Sequence, residues 1–376
     1  MARTRYVRIL AVLVALLLGA VVIAACGDDD DDGGGAAATT DGGGGGASGT
    51  VALLLPENRT ARYEAQDRPL FEAKMRELCP DCELIYSNAE QDAQQQQQQA
   101  EAAITNGARV LVLDPVDGRA AASIVARAKQ SDIGVIAYDR AIENADVDYY
   151  ISFDNRRVGQ LQAQALVDKL RDDGHDSGAL VMINGAPTDP NAAQFKQGAH
   201  SVLDDSPFRI AREYDTPDWS PDRAQTEMEQ AITSLGRDGF IGVYAANDGT
   251  AGGAIAAMRS SGIDPASKPT TGQDAELAAI QRIVAGDQYM TVYKAIKPEA
   301  EQAAQLAYDL LQGDADSDLV NEQVDNGAKQ VPSVILRPVA VTRDNIRDTV
   351  VADGFWRVDQ ICTPAYARAC RAIGLE

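Results

Sequence analysis

The sequence predicts an α/β protein of two doubly wound parallel-sheet lobes joined by a three-crossing hinge. Three observations carry that expectation. From Thr50 onward, short apolar runs alternate with longer helical periods, the mark of βαβ units in a parallel sheet. The 376 residues exceed what one ordinary core needs, which favours two domains. Finally, two similar strand-and-helix units each lead to a strand that ends in an aspartate. Residues 109–129 precede Gly134-Val-Ile-Ala-Tyr-Asp139, and residues 240–259 precede Pro269-Thr-Thr-Gly-Gln-Asp274. A unit made twice with a carboxylate at each strand end suggests two lobes facing a cleft.

The elements follow in order. Residues 51–55 form a first strand, 67–78 an amphipathic helix and 83–86 a second strand. A helix spans 92–106 with Ala100, Ala103 and Ile104 inward, and Gly107 is suited to its C-terminal turn. The glutamines at 94–99 read as a solvated low-complexity face. A buried strand at 109–113, a helix at 120–129 and strands at 135–138 and 149–153 complete the first lobe, the last of them leading out of it. The second lobe begins afresh with helices at 158–170, 192–203, 221–235, 251–261 and 275–285. Strands at 179–183, 209–214 and 241–245 alternate with the first four of these. The run 290–293 returns the chain to the first lobe, where 298–312 pack as a helix, and 334–341 is a last strand. The expected boundaries are 50–153 with 294–332 for one lobe, and 154–293 with 333–376 for the other.

The first 25 residues are expected to be a signal segment: Arg3, Arg5 and Arg8 precede an apolar stretch too short for a comfortable membrane span. It ends in Ile23-Ala-Ala-Cys26, which resembles a bacterial lipobox, so Cys26 is the expected acylation site. Two hydrophobic signals on one cysteine suffice for stable anchoring. Residues 26–49, rich in Asp and Gly, are a tether that cannot bury a core.

Four cysteines remain, Cys79, Cys82, Cys362 and Cys370. Outside the cytosol they suggest disulfides, with three connectivities open. Two local bridges, Cys79 to Cys82 and Cys362 to Cys370, are favoured over a redox motif, for which the strand-to-helix context is missing. They are also favoured over a zinc site, which would need distant parts of the chain to meet.

In open α/β sheets ligands sit beyond the carboxyl ends of the strands, so polar residues after strands are the candidates. They are Arg59, Arg62, Tyr63, Asp114, Asp117, Asp139 and Arg140 in the first half, and Asp189, Asn191, Trp219, Asn247, Asp248, Asp274 and Lys294 in the second. Asp114, Asp117 and Asp248 suit helix N-caps equally well, Arg59 a surface charge, and Trp219 a lobe-surface anchor. Planar bidentate groups match the vicinal hydroxyls of a monosaccharide, and Tyr63 or Trp219 could stack on its C–H face. A net charge of −22 argues against nucleic acid and anionic membrane surfaces as partners. Neither His175 nor His200 follows a strand, and no phosphate loop, zinc-protease helix, nucleophile elbow or dinucleotide fingerprint appears. No cofactor, metal or catalytic residue is therefore expected. A glycosidase pair of Asp139 and Asp274 is outweighed by so many charged hydrogen-bonding groups in one cleft, which suit a free sugar.

The most specific segments are Ala137-Tyr-Asp-Arg140, residues 142–158, Asn247-Asp-Gly-Thr-Ala-Gly-Gly-Ala-Ile255, Gly272-Gln-Asp274 and Met290-Thr-Val-Tyr-Lys294. From about Val51 to Phe355 the chain resembles the periplasmic sugar-binding proteins of ABC importers, of the type I binding-protein fold, above all their D-xylose-binding members. The resemblance implies a sugar pocket of Arg62, Asp139 and Arg140 from one lobe and Asp189, Asn191, Asn247 and Asp274 from the other. It places Lys294 at the hinge and Trp219 against the ring. Tyr63 stands where those members have a tryptophan, and Ala61 replaces an acidic neighbour of the pocket arginine. A monomer that hands its sugar to ABC permease subunits is implied. A sensory lipoprotein presenting sugar to a chemoreceptor or histidine kinase is the alternative. A transcription regulator of the same fold would need an N-terminal helix-turn-helix, which residues 1–49 do not suggest.

Overall fold

A computed structural model of the chain describes residues 48–376. The expected signal segment, the acylated Cys26 and all but the last two tether residues lie outside the described residues. The first lobe runs β1 (Thr50–Leu55), α1 (Arg68–Leu78), β2 (Glu83–Asn88), α2 (Ala93–Thr105), β3 (Ala108–Leu113), α3 (Ala122–Lys129), β4 (Gly134–Tyr138) and β5 (Tyr149–Phe153). The second holds α4 (Asn155–Asp172), β6 (Gly178–Asn184), α5 (Pro190–Leu203), β7 (Phe208–Asp215), α6 (Pro221–Leu235), β8 (Gly242–Ala245), α7 (Asp248–Ser260), α8 (Leu277–Ala285) and β9 (Thr291–Tyr293). Then α9 (Ile296–Gln312), β10 (Glu322–Asp325) and β11 (Gln330–Leu336) rejoin the first lobe. β12 (Val339–Val341), α10 (Val358–Ile361) and α11 (Ala367–Ala372) end in the second.

Strand order in the first sheet is β10-β11-β5-β4-β3-β1-β2, parallel except for the β10–β11 hairpin. The second has β7-β6-β8, all parallel, continued through the bridge of Val243 with Thr270 to the antiparallel β9–β12 pair. Both central strands are buried on two faces, as continuous apolar runs require. In β1, Val51, Leu53 and Leu55 join the core beneath α1 and α9, while Ala52 and Leu54 face α2 and α3. In β6, Leu180 and Met182 pack towards α4 and α5, and Val181 and Ile183 towards α6 and α7. This period of two lets each strand end open into the space between the lobes.

Four expectations are corrected. The strand read at 334–341 is two strands: Pro338 offers no ladder donor, so β11 stops at Leu336 and β12 begins at Val339 in the other lobe. Pairing of β11 with β5 through Leu336 moves the third crossing from residues 332–333 to 337–338. The helix read from Asp67 is preceded by a π-helical turn, Tyr63–Asp67, whose two end residues are both buried. The glutamine run is not wholly solvated. Gln96 is buried, donating to Asp114 O at 2.7 Å and accepting from Val116 N at 2.9 Å, so it clamps the loop after β3.

Both local disulfides are formed, Cys79–Cys82 between α1 and β2 and Cys362–Cys370 between α10 and α11. Helices α4 and α5 touch at two glycines. A Cβ on Gly159 would lie 1.9 Å from Phe195 O, and one on Gly198 would lie 2.0 Å from Arg156 O. Gly159→Ala should therefore push these helices apart and destabilise the chain by roughly 2–3 kcal/mol, measured by urea unfolding.

Candidate functional site

Ten of the fourteen candidate residues, together with Thr60, Phe195 and Gln273, line one small cavity of about 20 Å³ between the lobes. Arg62, Tyr63, Asp139 and Arg140 follow β1 and β4. Asp189, Asn191, Trp219, Asn247 and Asp274 come from the second lobe, and Lys294 from the crossing after β9. A larger groove beside β7, lined by His200 and Glu213, is open to solvent and gathers no buried polar set. The small cavity is the chemically distinctive one.

In the first lobe, ion pairs fix the geometry. Arg62 bonds both oxygens of Asp67 at 3.0 and 2.6 Å, Glu299 Oε2 at 2.6 Å and Asp139 Oδ1 at 3.1 Å. The Tyr138 hydroxyl also donates to Asp67. Tyr63 donates to Asp139 Oδ2 at 3.2 Å and accepts from Arg140 at 3.1 Å, with the two guanidiniums 5.3 and 5.7 Å from its ring centre. Its hydroxyl is thus part of the charge network. Glu57, fully buried, accepts from the backbone N–H groups of Arg59 and Thr60 and shapes the loop that delivers Arg62.

In the second lobe, helix starts do the positioning. Asp189 caps α5, accepting from Asn191 N at 2.8 Å, and its other oxygen accepts from Trp219 Nε1 at 2.9 Å. The indole lies on Gly185, where a Cβ would come within 2.0 Å of the ring, and meets Phe195 edge-on at 6.3 Å. Trp219 is therefore a cavity wall and not a surface anchor. Asn247 caps α7 in a reciprocal capping box with Thr250. Gly253 lets α7 meet α6, since a Cβ there would lie 2.2 Å from Pro221 O.

Contacts between the lobes complete the site. Arg140 Nε lies 3.0 Å from Asp189 Oδ2, Lys294 Nζ lies 3.0 Å from Asp274 Oδ1 and 3.9 Å from Asp139 Oδ1, and Asn191 donates to Asp139 O at 3.0 Å. Asp139 and Asp274 both adopt the left-handed region, with φ of 52° and 93°. Short polar residues tolerate that region best. Asn191 Oδ1 and Gln273 Oε1 are buried acceptors with no donor among the described residues.

Other candidates separate from this set. Arg59 is half-exposed beside Asp218, and Asp117 caps the turn before α3 through Arg119 N and Ala120 N. Asp248 is no cap; it is buried behind the cavity, accepting from Gln288, Thr291 and Glu276 N. Asp114 is no cap either, lying buried 3.6 Å from Arg140. Sequence reasoning missed Phe195 and Glu299. The first lies four residues after Asn191 on one helix face, and the second interrupts the buried apolar face of α9. Among the described residues no His, Cys, Asp and Glu cluster could hold a metal ion.

Burial alone would raise the Asp139 pKa, but Arg62, Lys294 and Arg140 overcome it and bring it down to about 2. Burial instead dominates at Asp114 and Glu299, whose pKa values rise well above the carboxylate range, and at Asp189, whose rise Arg140 opposes. Because the folded-state pKa of Asp139 is depressed, its stabilising contribution is full above about pH 4 and is lost as pH falls through about 2. The stability gap between the wild type and Asp139→Asn, measured by chemical unfolding, should narrow across that window.

The family model described as periplasmic binding protein domain matches residues 51–315. The D-xylose-binding periplasmic protein of Escherichia coli K12 is 38% identical over 315 residues, covering 83% of this chain and 92% of that protein. Its counterpart in Haemophilus influenzae is 36% identical, covering 83% and 91%. The crystal structure of an ABC transporter solute-binding protein from Clostridium phytofermentans with bound β-D-glucose superposes with a TM-score of 0.76 at 30% identity, covering 83% of this chain and 99% of that one. Two parallel-sheet lobes around a cleft of charged hydrogen-bonding groups, and similarity along most of the chain, agree: the chain belongs to the periplasmic sugar-binding proteins of ABC transporters, which bind their ligands without transforming them.

Proposed function

We propose that this protein is the lipid-anchored substrate-binding component of an ABC sugar importer, taking D-xylose or a close monosaccharide between its lobes and delivering it to the permease. One observation carries the reading. Three buried cations, Arg62, Arg140 and Lys294, interleave with Asp139, Asp189 and Asp274 around a cavity to which both lobes contribute. A sugar hydroxyl both donates and accepts, so alternating carboxylates and cations can hold neighbouring hydroxyls, each group serving two. The unpartnered Asn191 and Gln273 oxygens offer two further acceptors to hydroxyl protons. Trp219 supplies an apolar wall for the C–H face.

Binding without chemistry follows from the same arrangement. A ligand favours closure only through contacts that the open state lacks, and here each lobe supplies part of the set. Closure excludes water and strengthens each hydrogen bond in the low-dielectric cleft. The pentose assignment draws on the similarity to D-xylose-binding proteins, and glucose is the natural competitor because a relative carries it. The anchor rests on Ile23-Ala-Ala-Cys26.

In calorimetric titration against xylose, ribose, arabinose, glucose and galactose, xylose should bind tightest. Asp274→Ala and Arg140→Ala should each weaken binding by about a hundredfold or more, since each leaves buried charged partners unpaired. A tenfold preference for ribose or glucose, about 1.4 kcal/mol, would replace xylose as the ligand. Product formed from xylose or a xyloside would overturn a purely binding role. For the anchor, Cys26→Ser should move the protein from the membrane fraction to the soluble fraction of cells; retention on the membrane would rule out acylation as the tether.

A further inference from the structure

The chain after β12 lies beyond the residues matched by the family model, yet it reaches back to the strand ends that carry the cleft residues. Ala275, Tyr293, Ile361 and Cys370 share one buried core. The most specific contacts fall on the residue after Asp274 and the residue before Lys294. Trp356 Nε1 donates to Ala275 O at 2.7 Å. Phe355 meets the Tyr293 ring edge-on at 5.1 Å and Trp356 at 5.3 Å. The Cys362–Cys370 bridge closes the segment on itself, and Gln281 of α8 holds it by donating to Gln360 O at 3.1 Å.

These contacts land on a strained turn. Asp274 and Ala275 have successive φ values of 93° and 50°. Non-glycine residues in that region cost roughly 1–3 kcal/mol each and persist only where their surroundings over-determine them. Asp274 N donates to Val292 O at 2.9 Å and Ala275 N to Thr291 Oγ1 at 3.3 Å. The Trp356 indole donates to the Ala275 carbonyl. The backbone that aims the Asp274 carboxylate is thus pinned from both sides, and Lys294 follows a tyrosine held by the same segment.

We propose that Phe355 and Trp356 are positioning residues for sugar binding: a C-terminal clasp that touches no ligand sets the Asp274 carboxylate and the Lys294 ammonium. This rests on the reading of the cleft as a sugar site. Trp356→Phe keeps an aromatic ring but removes the indole N–H, and Phe355→Leu keeps apolar bulk but removes the edge-on contact. Each variant is titrated with xylose and glucose, and amide NMR spectra are recorded without sugar. The expected result is about a tenfold or greater loss of affinity. The amide signals of Asp274 and Ala275 should shift, while those of Leu53 and Val181 in the two sheets stay in place. Unchanged affinity in both variants overturns the clasp, and so does a loss accompanied by movement of the sheet signals, which marks general unfolding. If Trp356→Phe does not fold, Phe355→Leu decides by the same two readouts. A wild-type protein that binds neither sugar overturns the reading of the cleft itself, and the clasp with it.

Discussion

Taking a carboxylate out of water costs several kcal/mol unless its partners are placed to repay it, and Asp139 is only 3% exposed. Its side chain accepts from Arg62 and Tyr63 and lies 3.9 Å from Lys294. Its backbone carbonyl accepts from Tyr150, Ser152 and Asn191. One residue therefore links the loop after β1, the end of β5, the start of α5 and the hinge crossing. Removing any one partner would leave a buried charge to be met by the others.

The same economy appears elsewhere in the cleft. Asp189 is at once a helix cap, an acceptor for Trp219 and the counter-ion of Arg140. Asn247 caps α7 while lining the cavity. Side chains already held in these ways lose little freedom when a ligand arrives, so less of the binding energy goes into ordering them. The left-handed backbone at Asp139 and Asp274 belongs to the same scheme, because it turns each carboxylate from the strand line towards the cavity wall.

Much of this was legible in the sequence, for physical reasons. Strand-end polar residues stand out because a buried apolar run leads straight to them, and Asp139 with Arg140 after residues 135–138 is the clearest case. Helices with good caps and an apolar stripe, such as α6, could be bounded to the residue. What stayed hidden depends on neighbours distant in sequence. Glu299 looks like any helical glutamate until Arg62, 237 residues away, is placed beside it. The π-helical turn at Tyr63 follows from the needs of Arg62 and Asp67, not from local propensity. Whether Asp114 caps a helix or faces a guanidinium is decided by the packing of Arg140 alone. The break at Pro338 is legible in principle, but the apolar residues on either side of it read as one run.

Gln96 gives the glutamine run a property that its composition conceals. Gln94 and Gln98 are exposed and replaceable by other helix formers, whereas Gln95 and Gln99 donate to Asn88 O and Gln97 accepts from Ser123; the length of the run is fixed as well. One residue gained or lost after Gln96 would turn the rest of α2 by about 100°, swinging Ala100 and Ala103 off the core. One gained or lost before it would carry the Gln96 amide away from the Asp114 loop or force the cap at Asp92 to move. A low-complexity tract can thus drift in letters while being held to a count, and a change of length there would reach the ligand cleft through the Asp114 carboxylate that lies against Arg140.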